Sequence, residues 1–197
     1  MATSNVGEFE FQLSGSGYTV NCYKGNSAHV VIPSTYNTKP VVKIDFRAFK
    51  NCEIIASVKI PDTVREIGTE AFMNCKRLQS VAIGNGVTRI GRYAFFKCIS
   101  VSDITFGNSV TTIDELAFAG CNSLVSVTFP QSVNSIYYNA FGNCQKLASV
   151  TLPDARHWGR NGPKLVKGVA IGMVGPRLVN PAGAAAYFKD PGSYLAL

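Results

Sequence analysis

Hydrophobic positions in the middle of this chain recur with a fixed period. The segment from Glu53 to Cys75, EIIASVKIPDTVREIGTEAFMNC, is followed by three segments with the same order of apolar and polar residues. Each segment ends in a cysteine, and these residues are spaced 23 positions apart: Cys52, Cys75, Cys98, Cys121 and Cys144. A period in the twenties indicates a solenoid, in which each repeat forms one rung stacked on its neighbours.

Within a repeat, the apolar positions predict two short extended segments. Ile55, Val58 and Ile60 end in a period of two, which is typical of a strand with alternate side chains pointing inward, and Pro61 then ends the strand. A second apolar pair follows, and after it an Ala-Phe dipeptide. The small alanines fit where chains crowd together, and the phenylalanines are predicted to stack inside the solenoid. The predicted stack contains Phe49, Phe72, Phe95, Phe118 and Phe141.

The residues around the repeats predict three parts. Residues 1–29 contain EFEFQL and YTVNCY around a glycine-rich turn, which predicts a β-hairpin that caps the N-terminal end. Residues 30–152 form the solenoid of about five rungs, the first of which carries five extra residues after Pro33. Residues 153–197 lack the period. They are predicted to form a C-terminal α/β cap or a docking segment, with a helix starting at Asn180 and Pro181.

The repeat L-x-x-V-x-I-P-x-x-V-x-x-I-G-x-x-A-F-x-x-C resembles the BspA-like leucine-rich-repeat family, and SVKIPDTVREIGTEAFMNC is close to its consensus. The resemblance covers residues 30–152. It implies a right-handed, strand-rich α/β leucine-rich-repeat solenoid with one parallel sheet on the concave face and short strands and helical turns on the convex side. Many members are surface or secreted proteins implicated in adhesion, and related repeats occur in phage-encoded and protozoan proteins.

The cysteine column predicts structural thiols rather than disulfides or a metal site. Residues at one phase of a solenoid stack about 4.8 Å apart, and small free cysteines are common in such buried columns. Five same-phase cysteines cannot all pair, and Cys22 lies outside the column. The chain has no C-x-x-C pair of the kind that zinc sites use, so no metal or other cofactor is expected.

Composition and charge limit the kinds of partner that the chain is expected to bind. Of 197 residues, 46% are hydrophobic and 16% charged, as in a folded protein, and the formal net charge is +7. Lysines and arginines are scattered among acids, so no nucleic-acid partner is expected. The apolar stretch GVAIGMVG near the C-terminus is too short and glycine-rich to span a bilayer, so no membrane insertion is expected. A convex basic stripe is one interpretation of five exposed cations, and ordinary solvated surface is the other. These cations are Arg65, Lys76, Arg77, Arg92 and Lys97.

The localisation stays open. The N-terminus MATSNVGEFEFQ shows no signal peptide, which predicts cytoplasmic synthesis and allows association with a virion if Met1 is the natural start. If Met1 is engineered, the extracellular surface is the alternative.

The sequence does not predict an enzyme. Its two histidines, His29 before the repeats and His157 after them, are expected at opposite ends of the solenoid. The chain has no phosphate-binding loop, no nucleophile elbow and no H-E-x-x-H zinc motif.

Binding is the favoured function. The outward positions of the predicted strands are mostly small and polar, and they should line the concave sheet. The leading hypothesis is a non-enzymatic recognition or adhesion module for a protein or glycan at a cell surface. The alternative is a structural subunit of a larger assembly, such as a phage virion decoration or tail component. The candidate binding residues are Ser57, Lys59, Ser80, Asp103, Thr105, Ser126, Thr128, Ser149 and Thr151.

Overall fold

The repeated strand pattern produces two stacks of short strands around one apolar core. The computed structural model of the chain describes residues 6–137, 139–151, 164–165 and 177–178. Most of the predicted C-terminal segment lies outside these residues, including His157 and the helix start at Asn180. The boundaries of the three predicted parts therefore stay predictions.

The N-terminal elements precede the regular repeats. A 3₁₀ helix, Val6–Glu8, leads into an antiparallel hairpin of two strands, as the alternation in this segment predicts. Three further strands follow in the first rung. The strands are β1 (Phe9–Ser14), β2 (Gly17–Tyr23), β3 (His29–Val31), β4 (Thr35–Tyr36) and β5 (Lys39–Ile44).

Each later rung contributes one three-residue strand and one two-residue strand. The three-residue strands are β6 (Ser57–Lys59), β8 (Ser80–Ala82), β10 (Asp103–Thr105), β12 (Ser126–Thr128) and β14 (Ser149–Thr151). The two-residue strands are β7 (Glu66–Ile67), β9 (Arg89–Ile90), β11 (Thr112–Ile113), β13 (Ser135–Ile136), β15 (Lys164–Leu165) and β16 (Arg177–Leu178).

The two stacks differ in continuity. One stack contains β5 and the two-residue strands β7, β9, β11, β13 and β15, which pair in parallel in this order, and β2 of the hairpin joins it at β5. The other stack contains the three-residue strands and β16, and it consists of two separate parallel sheets. The first has the order β10-β8-β6-β3, and the second has the order β12-β14-β16. The solenoid therefore has one unbroken stack and one stack interrupted between β10 and β12.

The solenoid has about six rungs, one more than the repeat count predicts. The array extends beyond Leu152 because Ser135 pairs with Lys164 and Ser149 pairs with Arg177. The predicted strand-rich solenoid is confirmed, and its described residues share a single core. The predicted C-terminal α/β cap lies mostly outside the described residues and stays a prediction.

The core consists of columns of same-phase apolar residues, three of which are identical from rung to rung. Ala71, Phe72 and Cys75 are fully buried, and so are their counterparts one rung later, Ala94, Phe95 and Cys98. The phenylalanine rings stack nearly parallel, with centroids 5.0 Å apart between Phe72 and Phe95. The 23-residue period thus packs each of these alanine, phenylalanine and cysteine side chains against its counterpart in the next rung.

The segment between the two-residue strand and the cysteine is built from turns rather than helix. Two positions in each rung have positive φ, such as Tyr93 and Lys97 at 56° and 57°. Alternate backbone amides point to the next rung, where Phe72 N donates to Ala94 O at 2.7 Å. This corrects the expectation of helical turns, because no α-helix occurs in the described part of the chain. Within the same part, no helix is long and apolar enough to cross a membrane.

Candidate functional site

The candidate binding residues occupy the outward side of the three-residue strands. In β6, Val58 is buried while Ser57 and Lys59 on either side face outward, and β8 repeats this pattern. The alternation follows from the pleat of a strand. We call the outward side of β3, β6, β8, β10, β12 and β14 the Ser-x-Thr face.

The parallel register arranges the predicted residues in two rows. Ser57 pairs with Ser80, which pairs with Asp103, and these three form the first row. Lys59 and Thr105 lie in the second row on either side of Ala82. Five of the nine predicted residues therefore share one continuous sheet.

The other four predicted residues lie on the second sheet. Ser126 pairs with Ser149, and Thr128 pairs with Thr151. Because β10 and β12 do not pair, the two groups are separated by the interruption in the stack. The sequence does not reveal this break, since the repeat length is unchanged across it.

Sequence analysis missed His29 as a member of this face. His29 pairs with Ser57 in the β3–β6 register, and its Nδ1 lies 2.8 Å from Ser57 Oγ. The five extra residues of the first rung place His29 28 positions before Ser57 instead of 23, which hides the phase. An ungapped alignment of HVVIP (residues 29–33) with SVKIP (residues 57–61) shows that His29 occupies the position of Ser57.

A shallow groove of about 230 Å³ runs across the first sheet. Its floor includes Ser80 and Ala82, whose small side chains leave a depression between Lys59 on one side and Asp103 on the other. Lys59 and Asp103 are both exposed. The groove thus offers one cation, one carboxylate and several hydroxyl groups, a set suited to hydrogen bonding with a polar ligand.

The pair of His29 and Ser57 does not make a nucleophilic site. A serine nucleophile needs a third group that orients the histidine and donors that stabilise an oxyanion. Among the described residues, the His29 ring has no carboxylate partner. The described residues also include no group of three or more His, Cys, Asp or Glu that could hold a metal ion.

The cysteine column is tied to the phenylalanine column by hydrogen bonds. Cys98 Sγ donates to Phe72 O at 3.1 Å, and Cys75 Sγ donates to Phe49 O at 3.0 Å. Burial raises the pKa of Cys121 well above its ordinary value and raises that of Cys144 to about 11. These thiols therefore stay protonated at neutral pH and are poor nucleophiles.

We expect Cys75, Cys98, Cys121 and Cys144 to resist alkylation in the folded protein, since all four are buried. Cys22 and Cys52 are only partly buried and should react first. Mass spectrometry after a short pulse of iodoacetamide checks this, with the same pulse in denaturant as the control. Labelling of Cys98 at the rate of Cys22 would contradict it.

The five predicted convex cations do not form a single stripe. Arg92 and Lys97 share one turn segment, whereas Arg65 precedes β7 and donates to Asp62 O at 2.8 Å. Lys76 forms an ion pair with Glu53 at 3.5 Å, close to the start of the next rung. The five residues occupy different phases of the repeat, which places them in different rows.

A comparison with models of known protein families identifies the same repeats. The model of the BspA type leucine-rich-repeat region matches residues 42–159 in six copies. The chain belongs to this family. Proteins built from such repeats generally act as non-enzymatic binding modules.

Three solved structures illustrate the likeness. A leucine-rich-repeat protein of T. pallidum is 36% identical, with a TM-score of 0.75, and the alignment covers 77% of this chain and 72% of that one. A leucine-rich cell surface protein of Faecalibacterium prausnitzii A2-165 is 39% identical (TM-score 0.68), covering 78% of this chain and 43% of that one. A leucine-rich-repeat protein of Bacteroides ovatus ATCC 8483 is 30% identical (TM-score 0.64), covering 74% and 46%. Comparison with curated proteins gives no match.

Proposed function

We propose that the chain is a recognition module that binds a protein or glycan through its Ser-x-Thr face, the concave side of the solenoid. The observation that carries the proposal is the groove on the first sheet, where Lys59 of β6 and Asp103 of β10 lie on either side of β8. The groove is rigid at its centre because β6 and β8 each pair in parallel with a strand on both sides. A rigid, pre-formed surface loses little conformational entropy on binding.

The groove chemistry supports a polar ligand rather than an apolar one. Hydroxyl groups of Ser57, Ser80 and Thr105 both donate and accept hydrogen bonds. Lys59 supplies a positive charge, and Asp103 supplies a negative charge. The described groove is lined by no Phe, Tyr, Trp or Arg side chain, so affinity would come from many small contacts rather than from a central anchor.

The membership of the family supports the same proposal. One relative is described as a cell surface protein, and adhesion at a cell surface is the specific form of recognition that we propose here. The alternative prediction, a structural subunit of an assembly such as a virion, would be favoured by a defined oligomer in light scattering.

The experiment is a binding screen on an array of matrix proteins and cell-surface glycans, read with the fluorescently labelled full-length chain. We expect Lys59→Glu to weaken any specific signal, because it reverses the charge of the lysine that lines the groove. Ala82→Arg should abolish the signal by filling the floor of the groove.

Lys39→Glu is the matched control, since Lys39 is exposed but lies on β5, outside the groove. All three variants change surface residues and should unfold at the temperature of the parent. Equal binding by the parent and by Ala82→Arg would refute the proposed face.

A further inference from the structure

Rung 3 comprises residues 76–98. Its turn segment, between β9 and Cys98, carries side chains that the fold does not require. Arg92, Tyr93, Phe96 and Lys97 occupy its outward positions, and we call these four residues the rung-3 patch. Rung 1 places Phe46, Arg47, Lys50 and Asn51 at these phases, but there Arg47 and Lys50 are both paired with Glu70. The other rungs place different residues at them. They are Thr69, Glu70, Met73 and Asn74 in rung 2, Glu115, Leu116, Ala119 and Gly120 in rung 4, and Asn139, Gly142 and Asn143 in rung 5.

Comparing the rungs shows which side chains the turn needs in order to form. The same backbone turn forms with alanine, glycine or asparagine at these phases, so the rings and charges of rung 3 do not serve to build it. The rings and cations of rung 3 therefore stand at partly exposed positions where the turn does not need them, which indicates a binding role.

The four side chains form one connected cluster. The rings of Tyr93 and Phe96 meet edge to face with centroids 5.2 Å apart. The Arg92 guanidinium lies 4.8 Å from the centre of the Tyr93 ring, and Lys97 Nζ lies 5.3 Å from the centre of the Phe96 ring. The cations therefore orient the rings, and the cluster is held in shape before any partner arrives.

We propose that the rung-3 patch binds an acidic segment of a partner protein. Carboxylates of the partner pair with Arg92 and Lys97, and apolar side chains next to those carboxylates pack on the free edges of Tyr93 and Phe96. Aromatic residues and arginine are the residue types that most often dominate protein interfaces. This surface is separate from the Ser-x-Thr face and does not depend on binding there.

The charges of the cluster favour an acidic partner. Lys97 Nζ has no carboxylate within ion-pair distance among the described residues. Arg92 Nε pairs with Glu115 at 3.1 Å, and Arg92 Nη2 donates to Tyr93 Oη at 3.4 Å. This arginine is half exposed, and its five N–H groups leave further donors for a second carboxylate. The chain as a whole has a net charge of +7, which steers acidic partners toward it.

The geometry disfavours a nucleic acid. Single-stranded nucleic acids bind by stacking bases on open aromatic faces. Here one face of Tyr93 is occupied by Arg92, and Lys97 lies against a face of Phe96. The two rings are also tilted by 82° to each other, so they do not form a common platform.

The test uses a fluorescent random copolymer of glutamate and tyrosine in a 4:1 ratio as the probe, with fluorescence anisotropy as the readout. We expect R92T/Y93N/F96A/K97N to bind it about tenfold more weakly or worse, as the loss of an interface anchor usually causes. Each new residue is taken from the same phase of another rung, so the variant should fold. Circular dichroism and thermal unfolding check this.

A gain-of-binding variant keeps the proposal falsifiable if the quadruple variant is unstable. Glu115→Thr removes the carboxylate that competes for Arg92 and should tighten binding of the copolymer by about two- to fivefold, as loss of one exposed opposing charge allows. Thr69 already occupies this phase in rung 2.

The matched control is F46T/K50M, which removes one ring and one cation from rung 1. There Arg47 and Lys50 already pair with Glu70 and lower the pKa of its carboxyl. We expect this variant to bind the copolymer as the parent does. Polyglutamate without tyrosine should bind more weakly than the copolymer, and an oligothymidylate of similar charge should bind more weakly still.

Three results would overturn the proposal: equal binding of the copolymer by the quadruple variant, unchanged or weaker binding by Glu115→Thr, or stronger binding of the oligothymidylate than of the copolymer. The last result would indicate a nucleic acid as the partner. The substitutions change only the rung-3 patch and its neighbour Glu115, so failure of the Ser-x-Thr face does not affect the outcome.

Discussion

Replacing Phe95 with alanine should lower the free energy of unfolding by about 3–5 kcal/mol. Phe95 is fully buried, and its ring stacks between Phe72 and Phe118, with centroids 5.0 Å from each. The substitution leaves a cavity in the middle of the column, which the rungs above and below cannot close, because their spacing is fixed by backbone hydrogen bonds. Chemical denaturation of the parent and the variant measures the difference.

Phe96→Ala is the control for this prediction, because it deletes the same side chain one position away. Phe96 is only partly buried, and Ala119 stands at its phase in rung 4. We expect it to cost about 0.5 kcal/mol or less, as surface substitutions usually do. Equal losses from the two variants would show that the phenylalanine column does not carry the stability of the core.

Replacing Ala94 with leucine should destabilise the chain by about 1–3 kcal/mol. Ala94 is fully buried, and its backbone is fixed on both sides, since its carbonyl accepts from Phe72 N at 2.7 Å and its amide donates to Gly91 O at 3.1 Å. The Cβ therefore cannot move away from the core to make room for three more carbon atoms.

Ala82→Leu makes the same chemical change on the exposed Ser-x-Thr face and serves as the control. Ala82 points to solvent from β8, so the variant should keep the stability of the parent within about 0.5 kcal/mol. Thermal unfolding of both variants distinguishes crowding from any general effect of leucine. A lower midpoint for Ala82→Leu than for Ala94→Leu would contradict the account of the alanine column.

The repeat made most of the architecture predictable. In a solenoid each residue contacts its own copies, so the period alone assigns Phe72, Phe95 and Phe118 to one column. The alternation around Val58 and Val81 likewise predicted which side chains face outward. These assignments needed no knowledge of contacts between distant parts of the chain.

The prediction was weaker where the repeat is irregular. The insertion in rung 1 concealed that His29 extends the row of Ser57, because phase counting from the cysteine does not apply across it. The turn segments were expected to be helical. Instead, positive φ at positions such as Tyr93 and Lys97 replaces helix with successive turns whose amides bond to the next rung.

The sequence by itself determined the period, the buried columns and the family, because local apolar spacing is enough to define one rung and repetition then stacks it. Only the tertiary structure decided the break between β10 and β12, since the 23-residue period is unchanged across it and does not show where pairing stops. It also decided the clustering of Arg92, Tyr93, Phe96 and Lys97, because side-chain packing within a turn depends on backbone angles that the spacing of apolar residues does not contain.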